Sequence, residues 1–530
     1  MKVHYIPFRD TGYFSNLICD YLDKKSSLKN FYQNYPDIEG FKSQIKLKQD
    51  SFENEKRKVL VNSLVKQNKG IEISALTAQN INILKNSNTF TITTGHQLNI
   101  FTGPLYFLYK IITTINLTKV LKKEFPSYNF VPVYWMATED HDFEEINYFN
   151  FKGKKISWNI ESNGAVGRLK TTGFDTVFEE FSKLLGDSKN ATYLKELFKN
   201  TYLKQHNLAS AMRYLVNELF GTYGLVIIDG DDIELKKQFI PTIKDELLHK
   251  TSFKEVTATN TKLEENYNIQ VNPREINLFY LNKNLRERIV FKNNNYLINN
   301  TNIVFSKSEI LNEVSKYPDR FSPNVIMRPL YQETILPNLC YIGGGGELAY
   351  WFQLKKYFDT VNVVFPILLL RNSVLLITDK QLTKVGKLHI TLSELFLKQE
   401  ELISKKIKEI SDINIDFTHQ KEFLQQQFNE LKELAKQTDI SFLGAVNAQE
   451  KKQLNGLSYL EKRLLRAQKR KLSDIVERIK ILQDNLFPNQ SLEERTRNFS
   501  EMYLKLGDQF IPMLIDIMQP LQLEFSIIEY

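Results

Sequence analysis

The pattern of apolar and polar residues changes character along the chain. Residues 1–85 show polar helical spacing, with Phe41, Ile45, Phe52 and Val59 placed for one buried helical face. From residue 90 onward, short apolar runs without polar alternation predict strands that are buried on both faces, as in parallel sheets. After about residue 380 the strand pattern disappears and apolar residues recur only at helical spacing.

A strand–helix–strand unit is predicted where the apolar runs begin. The run 90–94 ends at a glycine, a helical stretch follows at 105–123, and the next run covers 130–137. This order predicts a βαβ unit with a right-handed crossover. Shorter alternating segments within 145–205 and 255–310 are interpreted as insertions that wall a cleft. Further buried strands are predicted at 224–229, 324–327 and 361–370.

The C-terminal part predicts a coiled coil. A seven-residue repeat runs through Leu465, Leu472, Ile479 and Leu486. It would form an antiparallel hairpin with an earlier helix around Phe428, joined across residues 438–446, although three heptads are a short run for this assignment. Because an exposed apolar stripe is costly on a monomer, we expect a homodimer built on residues 455–487.

These patterns predict an α/β protein with a parallel-sheet core and a C-terminal α-helical coiled coil. We place the core at 1–380, the helical coiled-coil domain at 381–490, and at 491–530 a C-terminal segment that packs back on the core. Hydrophobic residues make up 42% of the 530 residues and charged residues 25%, as expected for a large folded core.

Composition narrows the class of protein. The net charge of +8 is mild for this length and does not by itself indicate a nucleic-acid partner. Two cysteines, Cys19 and Cys340, exclude a disulfide scaffold and a four-cysteine metal site, and we expect no protein-bound metal. The N-terminus carries Lys2, Arg9 and Asp10 where a signal peptide would be apolar, and no run approaches the ~18 apolar residues of a membrane span. We therefore expect a cytoplasmic protein without a membrane association.

The first candidate site segment follows the first core strand. Gly95 permits a tight turn, Thr102 is placed to N-cap the next helix, and Pro104 suits its first turn. A helix N-terminus beside a strand end is an anion site in parallel-sheet folds, although a well-capped structural turn explains the same residues. The candidate residues here are Thr94, Gly95, His96, Gln97, Thr102, Gly103 and Pro104.

The second segment is an acidic cluster after the next strand. Glu139, Asp140, His141 and Asp142 could share protons or hold a substrate amine. The alternative is an acidic helix start, which explains Asp142 well and His141 poorly.

The third segment surrounds four consecutive glycines, whose backbone entropy cost suggests a sharp turn or close approach to a ligand. It is neither a P-loop nor a GxGxxG motif, and its aromatic flanks differ from those of a flexible linker. Its candidate residues are Arg328, Gln332, Asn338, Gly343, Gly344, Gly345, Gly346, Glu347 and Tyr350, with Arg371 at the end of the next predicted strand.

A fourth segment has six basic residues within 462–471. We interpret it as the solvated face of a coiled coil in preference to a nucleic-acid contact.

Several blocks of residues resemble the bacillithiol biosynthesis cysteine-adding enzymes, in family order and over nearly the whole chain. They are Thr-Gly-His-Gln at 94–97, Phe-Thr-Gly-Pro-Leu-Tyr at 101–106, 135–145, 322–325, 328–332, 341–351 and Leu-Phe-Pro at 486–488. The resemblance implies a Rossmann-like core, similar to class I aminoacyl-tRNA synthetases, with inserted connecting-peptide segments and a coiled coil that dimerises. It implies a ligase that joins L-cysteine to the amino group of glucosaminyl malate, giving bacillithiol.

The resemblance leaves parts of the mechanism open. His96 and Glu493 stand where family members often carry glutamine, and 101–104 lacks the His-Ile-Gly-His element of class I synthetases. ATP, with only its nucleotide-bound magnesium, is expected by analogy alone. We assign catalysis to Asp140 and His141, and carboxylate binding to Arg328 and Arg371. The alternatives are a non-catalytic scaffold or small-molecule-binding protein with a synthetase-like core, and a tRNA-charging enzyme.

Overall fold

The computed structural model describes residues 2–438 and 440–530. Its strands are β1 (Val3–Ile6), β2 (Thr89–His96), β3 (Asn129–Met136), β4 (Tyr148–Phe151), β5 (Lys154–Ser157), β6 (Val226–Asp229), β7 (Leu278–Asn282), β8 (Leu285–Lys292), β9 (Asn295–Ile298), β10 (Val304–Phe305), β11 (Phe321–Pro323), β12 (Asn338–Gly343), β13 (Ile367–Leu370), β14 (Val374–Ile377) and β15 (Phe525–Glu529).

The α-helices alternate with these strands and then dominate the C-terminal part. The first twelve are α1 (Asn16–Leu22), α2 (Ile38–Ser51), α3 (Asn54–Gln67), α4 (Ala75–Ile83), α5 (Tyr106–Glu124), α6 (Phe143–Ile146), α7 (Phe174–Leu185), α8 (Lys189–Phe198), α9 (Leu208–Phe220), α10 (Ile233–Lys237), α11 (Ile240–His249) and α12 (Thr251–Leu263). The others are α13 (Lys307–Lys316), α14 (Arg328–Ile335), α15 (Gly345–Phe352), α16 (Lys355–Thr360), α17 (Asp379–Lys387), α18 (Gln399–Ile410), α19 (Thr418–Ala435), α20 (Ile440–Lys471), α21 (Ser473–Leu486), α22 (Glu493–Thr496), α23 (Phe499–Leu506) and α24 (Phe510–Ile517). No helix among the described residues is long and apolar enough to cross a membrane.

The central sheet confirms the predicted parallel core. Its order is β13-β12-β2-β3-β6, and every neighbouring pair is parallel. In chain order this is the 3-2-1-4-5 arrangement of a Rossmann-like sheet. The strand order reverses between β2 and β12, and ligands of open α/β sheets bind outside the carboxyl ends of the strands at such a reversal.

Two strand predictions were wrong in part. Residues 324–327 form a turn, in which the Asn324 side chain accepts hydrogen bonds from the Ile326 and Met327 N–H groups. The neighbouring strand is β11, which pairs with β7 in an antiparallel sheet. Of the run 361–370, only β13 is extended, since Asn362 turns the chain at φ 56°.

The two predicted insertions have secondary structure of their own. Residues in the first form the β4–β5 hairpin and helices α7 and α8. The second contributes β7, β8, β9 and β10, which form an antiparallel sheet of order β10-β9-β8-β7-β11 with the adjoining β11. Both reach the carboxyl edge of the central sheet, where Arg168 of the first contacts Asp231 and Arg286 of the second contacts His141.

Two expectations about the termini were wrong. Residues 1–85 were expected to be helical but include β1, and strands were expected to end near residue 380 but β15 lies at the C-terminus. β1 pairs antiparallel with β15, and β14 pairs parallel with β15 in a separate three-stranded sheet. The predicted single helical face at 41–59 is divided between α2 and α3, with Phe52 capping the first of them.

The C-terminal helices differ from the predicted seam. α19 and α20 form the hairpin, but the helix breaks at Leu472 before α21 begins. Ile479 and Leu486 are fully buried in the chain's own core, and Leu465 and Leu472 pack against it. The four residues of the seven-residue repeat are therefore not an exposed surface and give no reason for placing a dimer on that stripe. The predicted junction 438–446 includes Asp439, which lies outside the described residues.

Candidate active site at the strand-order reversal

The predicted segments meet at the carboxyl edge of the central sheet. The end of β2 lies beside both neighbours, because Thr94 pairs with Ile342 of β12 and His96 pairs with Met136 of β3. The Thr94 hydroxyl also donates a hydrogen bond to the Ile342 carbonyl at 2.8 Å. The turn after β2, the acidic cluster after β3 and the glycines after β12 therefore share one edge.

Lys110 of α5 connects the first and third segments. Its Nζ donates to the Gly95 carbonyl at 2.5 Å and lies 2.7 Å from Glu347 Oε2. Glu347 also accepts from the Gly344 N–H at 2.8 Å and from the Tyr341 hydroxyl at 2.7 Å. Burial acts to raise the pKa of Glu347, but the Lys110 charge and the hydrogen bonds from Gly344, Lys110 and Tyr341 together outweigh it and hold that pKa below its usual value. A carboxylate thus already sits at the N-terminus of α15.

Arg371 presents an unpartnered donor to the same place. Its Nη1 donates to the Asn372 carbonyl and the Ser373 hydroxyl, and its Nη2 donates to Glu494 Oε1 at 2.7 Å. Its Nε is buried without a hydrogen-bond partner. A Cβ placed on Gly344 would lie 3.8 Å from this Nε, so the free N–H edge faces the start of α15.

Arg328 is the second guanidinium at this edge, although it begins α14 and does not end a core strand as predicted. Its Nη1 donates to Gln332 Oε1 at 3.0 Å, and its Nη2 lies 3.5 Å from the Tyr350 hydroxyl. The guanidinium also lies 5.7 Å from the Tyr341 ring centre. Arg328, Gln332 and Tyr350 therefore lie together at this edge.

The four glycines have different surroundings. None of the described Gly343, Gly344, Gly345 and Gly346 has a positive φ, so the run is not required for a left-handed turn. A Cβ on Gly345 would face Ile18 at 3.4 Å, and one on Gly346 would meet nothing within 4 Å. Only Gly344 leaves space in front of a free cationic donor. Gly344 is therefore the glycine of this run best placed for a close backbone approach to a ligand.

His96 is neutral at this edge. Burial, together with the positive charges of Lys110 and Arg371, lowers its pKa well below the usual value. Its Nε2 is buried without a hydrogen-bond partner, and its ring contacts those of Tyr106 and Phe107. A neutral imidazole can donate to an anion without adding charge.

The acidic cluster is held by Gln97 and by the second insertion. Gln97 Nε2 donates to Asp140 Oδ2 at 3.0 Å, and Asp140 Oδ1 accepts from the His141 N–H at 2.8 Å. Arg286 Nη1 lies 2.6 Å from His141 Nδ1. Because a guanidinium can only donate, this nitrogen of His141 is the acceptor of that contact.

The carboxylates of the cluster differ in proton affinity. Burial acts to raise the pKa of Asp140, but hydrogen bonds from His141 and Gln97 outweigh it and hold that pKa well below its usual range. Burial raises the pKa of Glu139, against the opposing charge of Lys236, whose Nζ lies 2.5 Å away. Asp140 therefore remains an anion, whereas Glu139 is the better proton acceptor.

Asp140, His141 and Asp142 bring donor atoms within 4.8 Å of one another, which is close enough for a metal site. The Arg286 guanidinium contacts His141 Nδ1, which makes that nitrogen unavailable as a metal ligand, whereas an ammonium needs only the carboxylate oxygens as acceptors. The arrangement fits an ammonium counter-ion site better than a metal site.

Four predicted residues are not placed at an open site. Thr102 does not cap α5, which begins at Tyr106; it has φ 69°, and its hydroxyl is buried without a partner. Gly103 is fixed by Asn498, which donates to its carbonyl, and Pro104 completes the same packed turn. Asn338 begins β12 at the opposite end of the sheet, where it accepts from Thr93 and donates to Glu333.

Sequence reasoning missed Lys110, Arg286 and Glu494. Lys110 lies in an apolar helix, and a lysine at a position facing the core was the available signal. Arg286 and Glu494 come from distant segments, so only the tertiary fold brings them to this edge.

Fold and site define a Rossmann-like protein with cationic groups at its strand-order reversal and an acidic cluster beside it. The family model "Bacillithiol biosynthesis BshC, N-terminal Rossmann-like domain" matches residues 1–372, and the corresponding C-terminal coiled-coil model matches 374–530. The chain belongs to the bacillithiol biosynthesis BshC family, and it is an enzyme of the ligase class.

Relatives of known name match this chain over nearly the full length of both sequences. A protein of Flavobacterium johnsoniae named "Putative cysteine ligase BshC" is 60% identical over 528 residues, with 100% of both chains covered. One of Christiangramia forsetii with the same name is 55% identical, covering 100% of this chain and 99% of the relative. A crystal structure titled "putative arginyl t-RNA synthetase" from Campylobacter jejuni covers 80% of this chain and 99% of that one. Its 10% identity and TM-score of 0.22 are too low to indicate a common fold.

Proposed function

We propose that this enzyme joins the carboxyl group of L-cysteine to the amino group of glucosaminyl malate in bacillithiol biosynthesis. The observation that carries the proposal is that guanidinium donors and a carboxylate anion lie at the same edge of the central sheet. Arg371 Nε and Arg328 offer guanidinium donors for the two malate carboxylates. Asp140 offers a permanent anion for the sugar ammonium.

The amine must lose a proton before it can attack. Asp140 binds the ammonium and fixes its position, but its lowered pKa makes it a poor proton acceptor. Glu139, with its raised pKa, is better suited to take that proton, and His141 orients the cluster through Arg286. Glu139 is therefore the proposed base, and Asp140 has the role of binding the ammonium.

The cysteine carboxylate also needs activation, for which family resemblance implies ATP. A triphosphate would need cationic donors beyond those that hold the two malate carboxylates. Of the other cations named at this edge, Lys110 is paired with Glu347 and Lys236 with Glu139, whereas Arg286 keeps a buried Nε without a hydrogen-bond partner. No step is derived through ATP.

The direct test is an end-point assay with the purified full chain. It is incubated with L-cysteine and glucosaminyl malate, with and without ATP and magnesium, and bacillithiol is measured by mass spectrometry after thiol labelling. We expect enzyme-dependent product in at least one condition. Binding of both substrates without product in either condition would contradict the proposed ligase activity and favour a binding protein.

We also infer a homodimer through the α19–α20 hairpin, with a second copy of the chain as the partner. Phe423, Leu431 and Leu434 are exposed apolar side chains there, at 59%, 41% and 57% of their surface. Replacing Phe423 and Leu434 with lysine is expected to give a monomer by light scattering. A dimer that survives both changes would exclude this surface.

A further inference from the structure

A short C-terminal segment, α22, approaches the candidate site from outside the Rossmann-like core. Glu494 in this segment is fully buried and forms an ion pair with Arg371, which is 4% exposed. Both carboxylate oxygens of Glu494 are used, since Oε1 accepts from Arg371 Nη2 at 2.7 Å and Oε2 accepts from the Val374 N–H at 3.1 Å.

The guanidinium of Arg371 is fixed on two of its three nitrogen atoms. Nη1 is held by Asn372 and Ser373, and Nη2 is held by Glu494. Because the group is planar and rigid, fixing two nitrogens also fixes the direction of the third. That third nitrogen is the unpartnered Nε, which faces Gly344 at the start of α15.

Burial of a charged guanidinium without a counter-charge is strongly unfavourable. Glu494 supplies that counter-charge at Nη2 and leaves Nε without a partner. The backbone N–H of Arg371 donates to the Gly343 carbonyl at 2.9 Å, which fixes the start of the side chain as well. The guanidinium of Arg371 thereby stays charged and fixed in direction, and its Nε–H remains free to donate to a ligand.

We propose that Glu494 is a positioning residue that directs Arg371 Nε at a carboxylate of the acidic substrate. This inference rests on the proposed function, because it takes that carboxylate from the malate group of glucosaminyl malate. The role differs from simple stabilisation: it predicts an effect that depends on the presence of the carboxylate in the ligand.

The test compares Glu494→Gln with a matched control, Glu493→Gln. Glu493 is the adjacent buried carboxylate; it accepts from Arg497 and from the Leu376 N–H and makes no hydrogen bond to Arg371. For Glu494→Gln, the Kd of glucosaminyl malate by calorimetry and its KM should rise about tenfold, the expected scale of one charged hydrogen bond. Its kcat and the KM of cysteine should stay within twofold of wild type, as should all constants of Glu493→Gln.

Methyl glucosaminide, which has the amine but no malate, separates positioning from general damage. Its kcat/KM and its Kd should be the same for wild type and Glu494→Gln. Equal losses with both ligands, or a tenfold loss in the Glu493→Gln control, would overturn the proposal.

Two further outcomes are distinguishable. Should wild type make no bacillithiol while Glu494→Gln still weakens glucosaminyl malate binding tenfold, the ligase activity fails and the positioning role stands. Should wild type be active and the variant bind normally, the positioning role fails. If Glu494→Gln does not fold, Arg371→Lys is measured instead, because lysine keeps the charge but lacks Nε; an unchanged Kd there would refute the proposal.

Discussion

At Gly344, adding a single methyl group should weaken substrate binding while leaving the stability of the fold nearly unchanged. Its backbone at φ −77° and ψ 171° is accessible to alanine. The added Cβ would lie 3.6 Å from Glu347 Oε2 and 3.8 Å from Arg371 Nε, which are ordinary van der Waals distances. The folded protein therefore accepts the methyl group, but the space in front of the free Nε–H is filled.

The expected magnitudes follow from these contacts. Gly344→Ala gains about 0.4–1 kcal/mol by restricting the unfolded chain. It loses about 0.5–1 kcal/mol because alanine is a poorer N-cap than glycine, so the free energy of unfolding should change by less than about 1 kcal/mol. Loss of one charged hydrogen bond to substrate costs about 1.5–3 kcal/mol, or roughly 10- to 150-fold in Kd.

The assay measures melting temperature and the Kd of glucosaminyl malate for Gly344→Ala and for Gly346→Ala. A Cβ on Gly346 meets nothing within 4 Å, so this control keeps the binding constant and gains about 0.5–1 kcal/mol in helix stability. Normal binding by a folded Gly344→Ala protein would show that the ligand does not approach Arg371 at this point.

Three further changes test the rest of the site. Asp140→Asn should raise the KM of glucosaminyl malate at least tenfold with little change in melting temperature; a folded variant with full activity would make the acidic cluster structural. Lys110→Met should cost about 3 kcal/mol in chemical denaturation, because it leaves Glu347 without its cation, and Glu347→Gln in the same chain should recover part of that loss; simple additivity of the two changes would contradict the ion pair. Burial raises the pKa of Glu493 to about 7, so the folded state keeps a proton that the unfolded state loses from about pH 4.5. Wild-type stability should therefore fall by up to roughly 3 kcal/mol as pH rises from 4.5 to 7 relative to Glu493→Gln, and parallel melting curves of the two proteins against pH would exclude this.

The parallel core was predictable because its strands are short, continuous apolar runs that stop at glycine or acidic residues. The runs that became β2, β3 and β6 carry this signal in one stretch of sequence each. The strands at the two termini were missed since neither is bounded by such signals, and each is stabilised by a partner that is remote in sequence. The local pattern of apolar and polar residues contains no information about pairing between strands so far apart in sequence.

The site was predictable to the extent that it follows strand ends. Residues directly after β2, β3 and β12 met as expected, because carboxyl ends of parallel strands share an edge. Thr102 has the residue type of a helix cap but not its conformation, which the Asn498 contacts to the neighbouring Phe101 and Gly103 carbonyls determine. The seven-residue repeat through Ile479 has the spacing of a coiled-coil seam, but an amphipathic helix packed on its own core has the same spacing.

The three-stranded sheet that joins β1, β15 and β14 has a consequence for how the polypeptide reaches its native state. Val3 pairs with Ile528, so β1 remains without its neighbour until residues 525–529 have been synthesised. Closing so long a loop adds only slowly to the entropy cost, but contacts this remote in sequence form late in folding. β14 lies directly after Arg371 and also depends on β15. The cationic side of the site is therefore expected to be among the last parts of the enzyme to become ordered during biosynthesis.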